Sequence, residues 1–190
     1  MLGAGVAFGV TGLIGHPALA LSEAQARAMV DKLVGEINRV ISSGKSERAM
    51  YGDFERIFRK YADTRAVAAY ALGADGRRAS GAQKKAFTSV FTGYISRKYG
   101  KRFRELIGGR FEVTGVTRKK KYYDVKAIAY LKGDAPFEIN FHVNEANKFY
   151  NLFIAGVNML LTERTEIGSM LDRRGGDIDR LIMDLRDAAS

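Results

Sequence analysis

The groups able to do acid–base, nucleophilic or metal chemistry in this 190-residue chain are few: two histidines, twenty-one carboxylates and no cysteine. His16 lies in an apolar N-terminal stretch, which leaves His142 on what alternation makes the polar face of a strand. No Ser-His-Asp triad, Cys-His pair or multi-histidine metal site is assembled from these parts. Carboxylate pairs do occur, Glu163 with Glu166 and Asp177 with Asp179. The first pair sits one helical turn apart beside Arg164 and reads as a solvated helix face. Asp177 reads as the cap of the last helix. The glycine pairs do not follow a strand and open a helix, as a phosphate loop does, so a nucleotide site has no support. The residues therefore predict no enzyme, no cofactor and no metal.

Charge points elsewhere. The net charge is +10, and ten Lys or Arg stand against Glu105 and Glu112 between Arg97 and Lys121, a local balance of +8. Arg97, Lys98, Lys119, Lys120 and Lys121 are the candidates for docking a partner or an anionic headgroup through this positive field. The same Tyr-interleaved stretch, to Tyr123, also fits a nucleic-acid platform. The first twenty residues, MLGAGVAFGVTGLIGHPALA, are uncharged and close with Ala18 and Ala20 in the pattern of a secretory signal. That argues against nucleic acid and predicts a leader over 1–20 followed by one domain over 21–190.

The elements that must position these groups follow from periodicity. Ser22 to Gln25 reads as a capping box that opens a helix with Val30, Leu33, Val34, Ile37 and Ile41 on one face. A second helix carries Phe54, Ile57, Phe58 and Tyr61, and Asp63 or Thr64 caps a short third that stops at Gly73. Ser80 to Gln83 is another capping box. The long helix after it places Phe87, Val90, Phe91, Tyr94, Ile95, Tyr99, Phe103, Leu106 and Ile107 on one broad stripe, ended by Gly108 and Gly109. The period then falls to two: Phe111 and Val113; Tyr123, Val125, Ala127 and Ala129; Phe137, Ile139, Phe141 and Val143; and a fourth strand in KFYNLFIAGV. Two helices close the chain, from about Met159 to Arg173 and after Asp177. The expected class is α+β, with helices packed on a curved four-stranded antiparallel sheet.

What is in excess is apolar surface, with eleven Phe, nine Tyr and six Met, and a fourteen-residue run without charge from Phe149 to Thr162. Composition leaves open whether this is plain core or the wall of a ligand pocket. The ordered positions Leu72, Gly73, Arg78, Ala79, Ser80, Gln83, Phe87, Phe91, Tyr94, Ile95 and Tyr99, with Gly156, Val157, Met159, Arg164, Gly176, Ile178, Asp179, Leu181, Ile182 and Leu185, resemble the MlaC or toluene-tolerance family from about Phe54 to Leu185. The chain departs from that pattern at Asn151, where the family usually has Asp, and at Ala155 and Asn158.

The resemblance implies a soluble periplasmic phospholipid carrier whose sheet and helices enclose an apolar pocket. It would exchange lipid with an outer-membrane lipoprotein complex and with an inner-membrane ABC transporter containing an MCE-domain protein, and so maintain outer-membrane lipid asymmetry. A monomer with no nucleic-acid partner is expected. The tail-lining candidates are Phe91, Tyr94, Ile95, Tyr99 and Phe103 on the long helix, Val125, Ile139 and Phe141 on the sheet, and Leu152, Ile154, Val157, Met159 and Leu160 in the uncharged run. A small-molecule enzyme on the same curved-sheet scaffold is the remaining alternative, and it would need a buried, partnered carboxylate or histidine.

Overall fold

Ser22 accepts the Gln25 amide with its hydroxyl while the Gln25 side chain accepts the Ser22 amide, and this reciprocal box starts helix α1 (Glu23–Ile41). The computed structural model describes residues 21–100 and 103–188. The expected leader over 1–20, Lys101 and Arg102, and the Phe103 side chain lie outside the described residues. Helix α2 spans Glu47–Tyr61 and α3 Thr64–Leu72; the Asp63 carboxylate caps α3 by accepting the Ala66 amide at 3.0 Å. A 3-10 turn, Gly73–Arg77, leads to the second capping box, Ser80 with Gln83, which opens α4 (Gly81–Gly100). The long helix expected to reach Ile107 is helical over α4 (Gly81–Gly100) and again over α5 (Phe103–Leu106), with Lys101 and Arg102 between them outside the described residues.

The sheet runs β1 (Arg110–Arg118), β2 (Tyr123–Tyr130), β3 (Phe137–Val143), β4 (Phe149–Ile154) and β5 (Val157–Asn158), in that order and antiparallel throughout. There are five strands where four were expected. The segment read as one strand is folded back by Ala155 (φ 48°) and Gly156 (φ 80°), both in the left-handed region that a tight two-residue hairpin requires. Register shifts at Val113/Gly115 and at His142/Val143 are bulges that curl the sheet. The edge strand β1 is covered by α1: the Asn38 amide donates to the Phe111 carbonyl at 2.9 Å and accepts its N–H at 3.0 Å, Arg27 donates to the Val113 carbonyl, and Glu23 accepts the Arg118 amide. Helices α6 (Met159–Arg173) and α7 (Ile178–Ala188) complete the chain, and the Asp177 carboxylate caps α7 by accepting the Asp179 and Arg180 amides.

These elements form two apolar cores. The first lies between the inner sheet face and helices α1 and α2, with Val30, Val125, Ala127, Ala129 and Val143 wholly buried. The second lies among α3, α4, α6 and α7, around Phe87, Phe91, Ile167, Leu171, Leu181 and Leu185. Phe58 of α2 packs against both, and its ring meets Phe149 of β4 edge-on at 5.8 Å. The chain passes from the first core to the second after α2, back after α4, and across again after β4.

The two stretches that carry the family resemblance meet in the second core. Gly73 (φ 62°) lies so close to Arg164 that a Cβ there would stand 3.3 Å from the guanidinium, and Gly176 (φ 80°) would place one 2.6 Å from Arg78. The Gln83 amide donates to Asp179 at 3.0 Å. The positive φ strains any side chain at both places and so calls for glycine, and the guanidinium groups lie in the space that glycine leaves.

Candidate functional site

Twelve of the thirteen tail-lining candidates are divided between the cores and their boundary; the side chain of the other, Phe103, lies outside the described residues. Phe91 and Ile95 of α4 and Leu160 of α6 are buried in the second core, with Tyr94 and Tyr99 half-buried against it. Val125, Ile139 and Phe141 are buried in the first, and Leu152 packs on it. Ile154 and Met159 are half-buried, and Val157 is 54% exposed on β5. Alternation explains this partition along β4, where Leu152 lies opposite Phe141 on the inner face while Phe153, opposite Asn140, faces out.

Where α4 crosses α6, the side chains form a polar cluster that the sequence did not reveal. Lys98 donates to Glu163 Oε1 at 2.8 Å and to Glu166. Tyr99 donates to Glu163 and Tyr94 to Glu166. The Lys98 ammonium also lies 5.7 Å from the Tyr94 ring centre and 5.6 Å from that of Tyr99. Glu163 is not on a solvated face: it is 3% exposed, and its Oε2 has no hydrogen-bond partner. The solvated-face expectation failed because a helix read by itself does not show what crosses it. One signal was available: Tyr94, Lys98 and Tyr99 on one helix complement two carboxylates at i and i+3 on another, both within apolar stripes.

The electrostatics follow from this crowding. Burial disfavours ionisation of Tyr94 and Tyr99, and their hydrogen bonds to Glu166 and Glu163 reinforce the effect, so both hydroxyls stay protonated well above the ordinary tyrosine range. Burial acts to raise the Glu166 pKa, but the hydrogen bonds from Lys98 and Tyr94 outweigh it and hold the carboxyl below its usual value. Burial likewise opposes charge on Lys98, yet its two carboxylate partners raise the pKa above that of a free lysine. One ammonium thus faces two carboxylates. An open groove of ≈ 540 Å³ runs along α6 beside the cluster, lined by Leu161, Thr162, Thr165, Glu166, Ser169 and Arg173.

His142 is on the outer sheet face, as alternation predicts, but it is not simply solvated. Its ring lies 4.2 Å from that of Tyr122 and 4.9 Å from that of Phe153, with Tyr150 beside it. Burial lowers its pKa, Lys119 adds to this, and Asp124 opposes it, so the imidazole is neutral at pH 7. Lys119, Lys120 and Lys121 stand exposed on the β1–β2 hairpin, whereas Lys98, expected on the same docking surface, is committed to the α4–α6 cluster, and Arg97 is half-buried. Among the described residues no group of three or more His, Asp or Glu is placed to hold a metal ion, and no helix is long and apolar enough to cross a membrane.

Comparison with known proteins agrees with the resemblance. A family model described as MlaC protein matches residues 27–187. The fold is similar to that of a phospholipid-binding protein from Ralstonia solanacearum, solved in complex with a phospholipid, with a TM-score of 0.73 and 17% identity over 86% of this chain and 96% of that one. No curated protein sequence matches.

Proposed function

The chain belongs to the MlaC family, and on that premise we propose that it is a phospholipid carrier, a binding protein rather than an enzyme. The observation that carries this reading is the family match over 27–187; the likeness in fold to a protein solved with a phospholipid supports it. The acyl tails enter between the two cores, where Phe58 packs against both. Phe91, Tyr94, Ile95 and Tyr99 form the proposed wall on one side, and Val125, Ile139, Phe141, Leu152, Ile154, Val157, Met159 and Leu160 form the other.

Physical chemistry says why such a carrier is needed and why it needs no catalytic group. At about 0.8 kcal/mol per methylene, two tails with roughly thirty methylenes represent on the order of 20 kcal/mol of exposure to water. A carrier must hide the tails and leave the headgroup at the mouth. We place it in the periplasm as a monomer, exchanging lipid with an outer-membrane lipoprotein complex and with an inner-membrane ABC transporter that contains an MCE-domain protein, in support of outer-membrane lipid asymmetry. The exposed Lys119–Lys121 hairpin is the proposed docking element.

The test is solvent extraction of the purified protein followed by lipid mass spectrometry, with uptake from liposomes alongside. Stoichiometric phospholipid is expected. Its absence, together with no uptake, would remove the carrier reading. Replacing Ile95 by Asp places a charge in the second core and is expected to abolish co-purified lipid in the variant that still folds, since a charge among acyl chains is costly to desolvate.

A further inference from the structure

The outer face of the sheet carries four rings that belong to neither core. His142 lies 4.2 Å from Tyr122, 4.9 Å from Phe153 and 6.0 Å from Tyr150, and Tyr122 meets Tyr150 edge-on at 6.3 Å. All four are half-buried, whereas the inner face is covered by α1 and α2. The Tyr122 and Tyr150 hydroxyls make no hydrogen bond to another described residue, while those of Tyr61, Tyr94, Tyr99 and Tyr123 each have a partner. A ring with an apolar body and an unengaged polar tip suits a boundary between water and apolar matter. Charge gathers at the same corner. Lys119, Lys120 and Lys121 are exposed in the turn that Tyr122 closes, where the Lys119 amide donates to the Tyr122 carbonyl at 2.8 Å. Further along the face, Arg110 is matched by Glu112 at 2.8 Å and Lys126 by Glu138 at 3.3 Å; at its rim Arg118 reaches Glu145 at 3.7 Å. The three lysines form no ion pair among the described residues.

We propose that this corner of the outer sheet face docks on an anionic bilayer surface: Lys119, Lys120 and Lys121 meet the anionic headgroups, and the Tyr122 and Tyr150 rings, resting on His142 and Phe153, enter the headgroup layer. The inference rests on the carrier reading for the docking element and names what that element meets. Charge complementarity selects an anionic partner, and the residue types select a bilayer over an acidic protein. Lysine is depleted in protein–protein interfaces, because its hydrated ammonium and flexible stem are costly to fix. Near an anionic bilayer each lysine is worth roughly fivefold in partitioning, and it acts across the headgroup layer without a fixed partner. Tyrosine is enriched where membrane meets water, since its ring and its hydroxyl are satisfied at different depths. The closed turn joins the two parts, so that lysines drawn to the surface bring Tyr122 with them.

The test is sedimentation of the purified protein with vesicles of equal parts phosphatidylglycerol and phosphatidylcholine, against vesicles of phosphatidylcholine alone. Binding to the anionic vesicles is expected, and replacing Lys119, Lys120 and Lys121 together by Gln is expected to weaken it by about a hundredfold. The chain has no tryptophan, so a single introduced one reports its own surroundings. Tyr122→Trp is expected to shift its emission to shorter wavelength on anionic vesicles and to be quenched by brominated lipid tails. Met183→Trp, at an exposed position of α7 in the second-core layer, is expected to show neither. No binding to anionic vesicles overturns the proposal, as does binding that the lysine variant retains in full. Tyr122→Trp emission that is unchanged in the bound protein also overturns it, because the lysines then act without the rings, as they would towards an acidic protein. Lipid extracted from the same preparation separates the two readings. Phospholipid present without vesicle docking overturns this surface and leaves the carrier in place, whereas docking by a protein that neither holds nor takes up phospholipid supports the surface and removes the carrier reading.

Discussion

Ala155 holds a backbone angle (φ 48°) that an alanine side chain disfavours, at the first position of the two-residue turn between β4 and β5. Such a turn calls for Asn or Gly there, so Ala155→Asn is expected to raise stability by about 1 kcal/mol, read as a higher urea midpoint with unchanged slope. Asn151 shows the opposite relation between residue and place. Its side-chain oxygen accepts the Leu160 amide at 3.3 Å as well as that of Leu152, and so holds the first turn of α6 to β4. The Asp usual in the family would offer the same acceptor, so this departure leaves the corner in place. Asp63, Asp177 and the two capping boxes were legible in the sequence because a cap is decided within four residues. Glu163 was not, because its burial is decided by Lys98 and Tyr99, more than sixty residues earlier in the chain.

At the scale of elements, the crossing of α4 and α6 makes stability depend on pH at both ends. The Glu166 carboxyl is held below its ordinary value, so its contribution is full above the usual carboxylate range and is lost as pH falls through the depressed value. Tyr94 and Tyr99 are shifted the other way. Their contribution is full below the ordinary tyrosine value of 10.0 and declines as pH rises beyond it. Thermal midpoints measured across pH should therefore fall at both extremes, and Tyr99→Phe should flatten the alkaline limb while leaving the acid limb. The clasp between α1 and β1 is a second element-scale contact. Asn38→Ala removes both hydrogen bonds to Phe111 and should cost about 1–3 kcal/mol in a denaturation midpoint, since it leaves backbone groups of an edge strand without partners. The helices and the first three strands were readable because each buries one periodic face. The return at Ala155 was not, because apolar residues continue through it and the period alone gives no reason to end.

For the whole molecule, the +8 segment divides by position: the hairpin lysines are exposed, while Lys98 is bound inside. Neutralising Lys119, Lys120 and Lys121 together should slow association with anionic liposomes and flatten its salt dependence, with bound lipid unchanged. Association rates that ignore ionic strength would show that the hairpin does not steer. The fold class was legible because strands and helices alternate in blocks, but the division into two cores was not, since the same apolar stripe serves either one. That division has a consequence for how the chain can be cut. The passages between cores mean that residues before Gly108 supply α1 and α2 to one core and α3 and α4 to the other, while residues after Gly109 supply the sheet to the first and α6 and α7 to the second. Each half of the polypeptide owns half of both interiors and the whole of neither. A nick at Gly108–Gly109 should therefore leave two fragments that co-elute as one folded particle, and that lose their structure together when either is withdrawn.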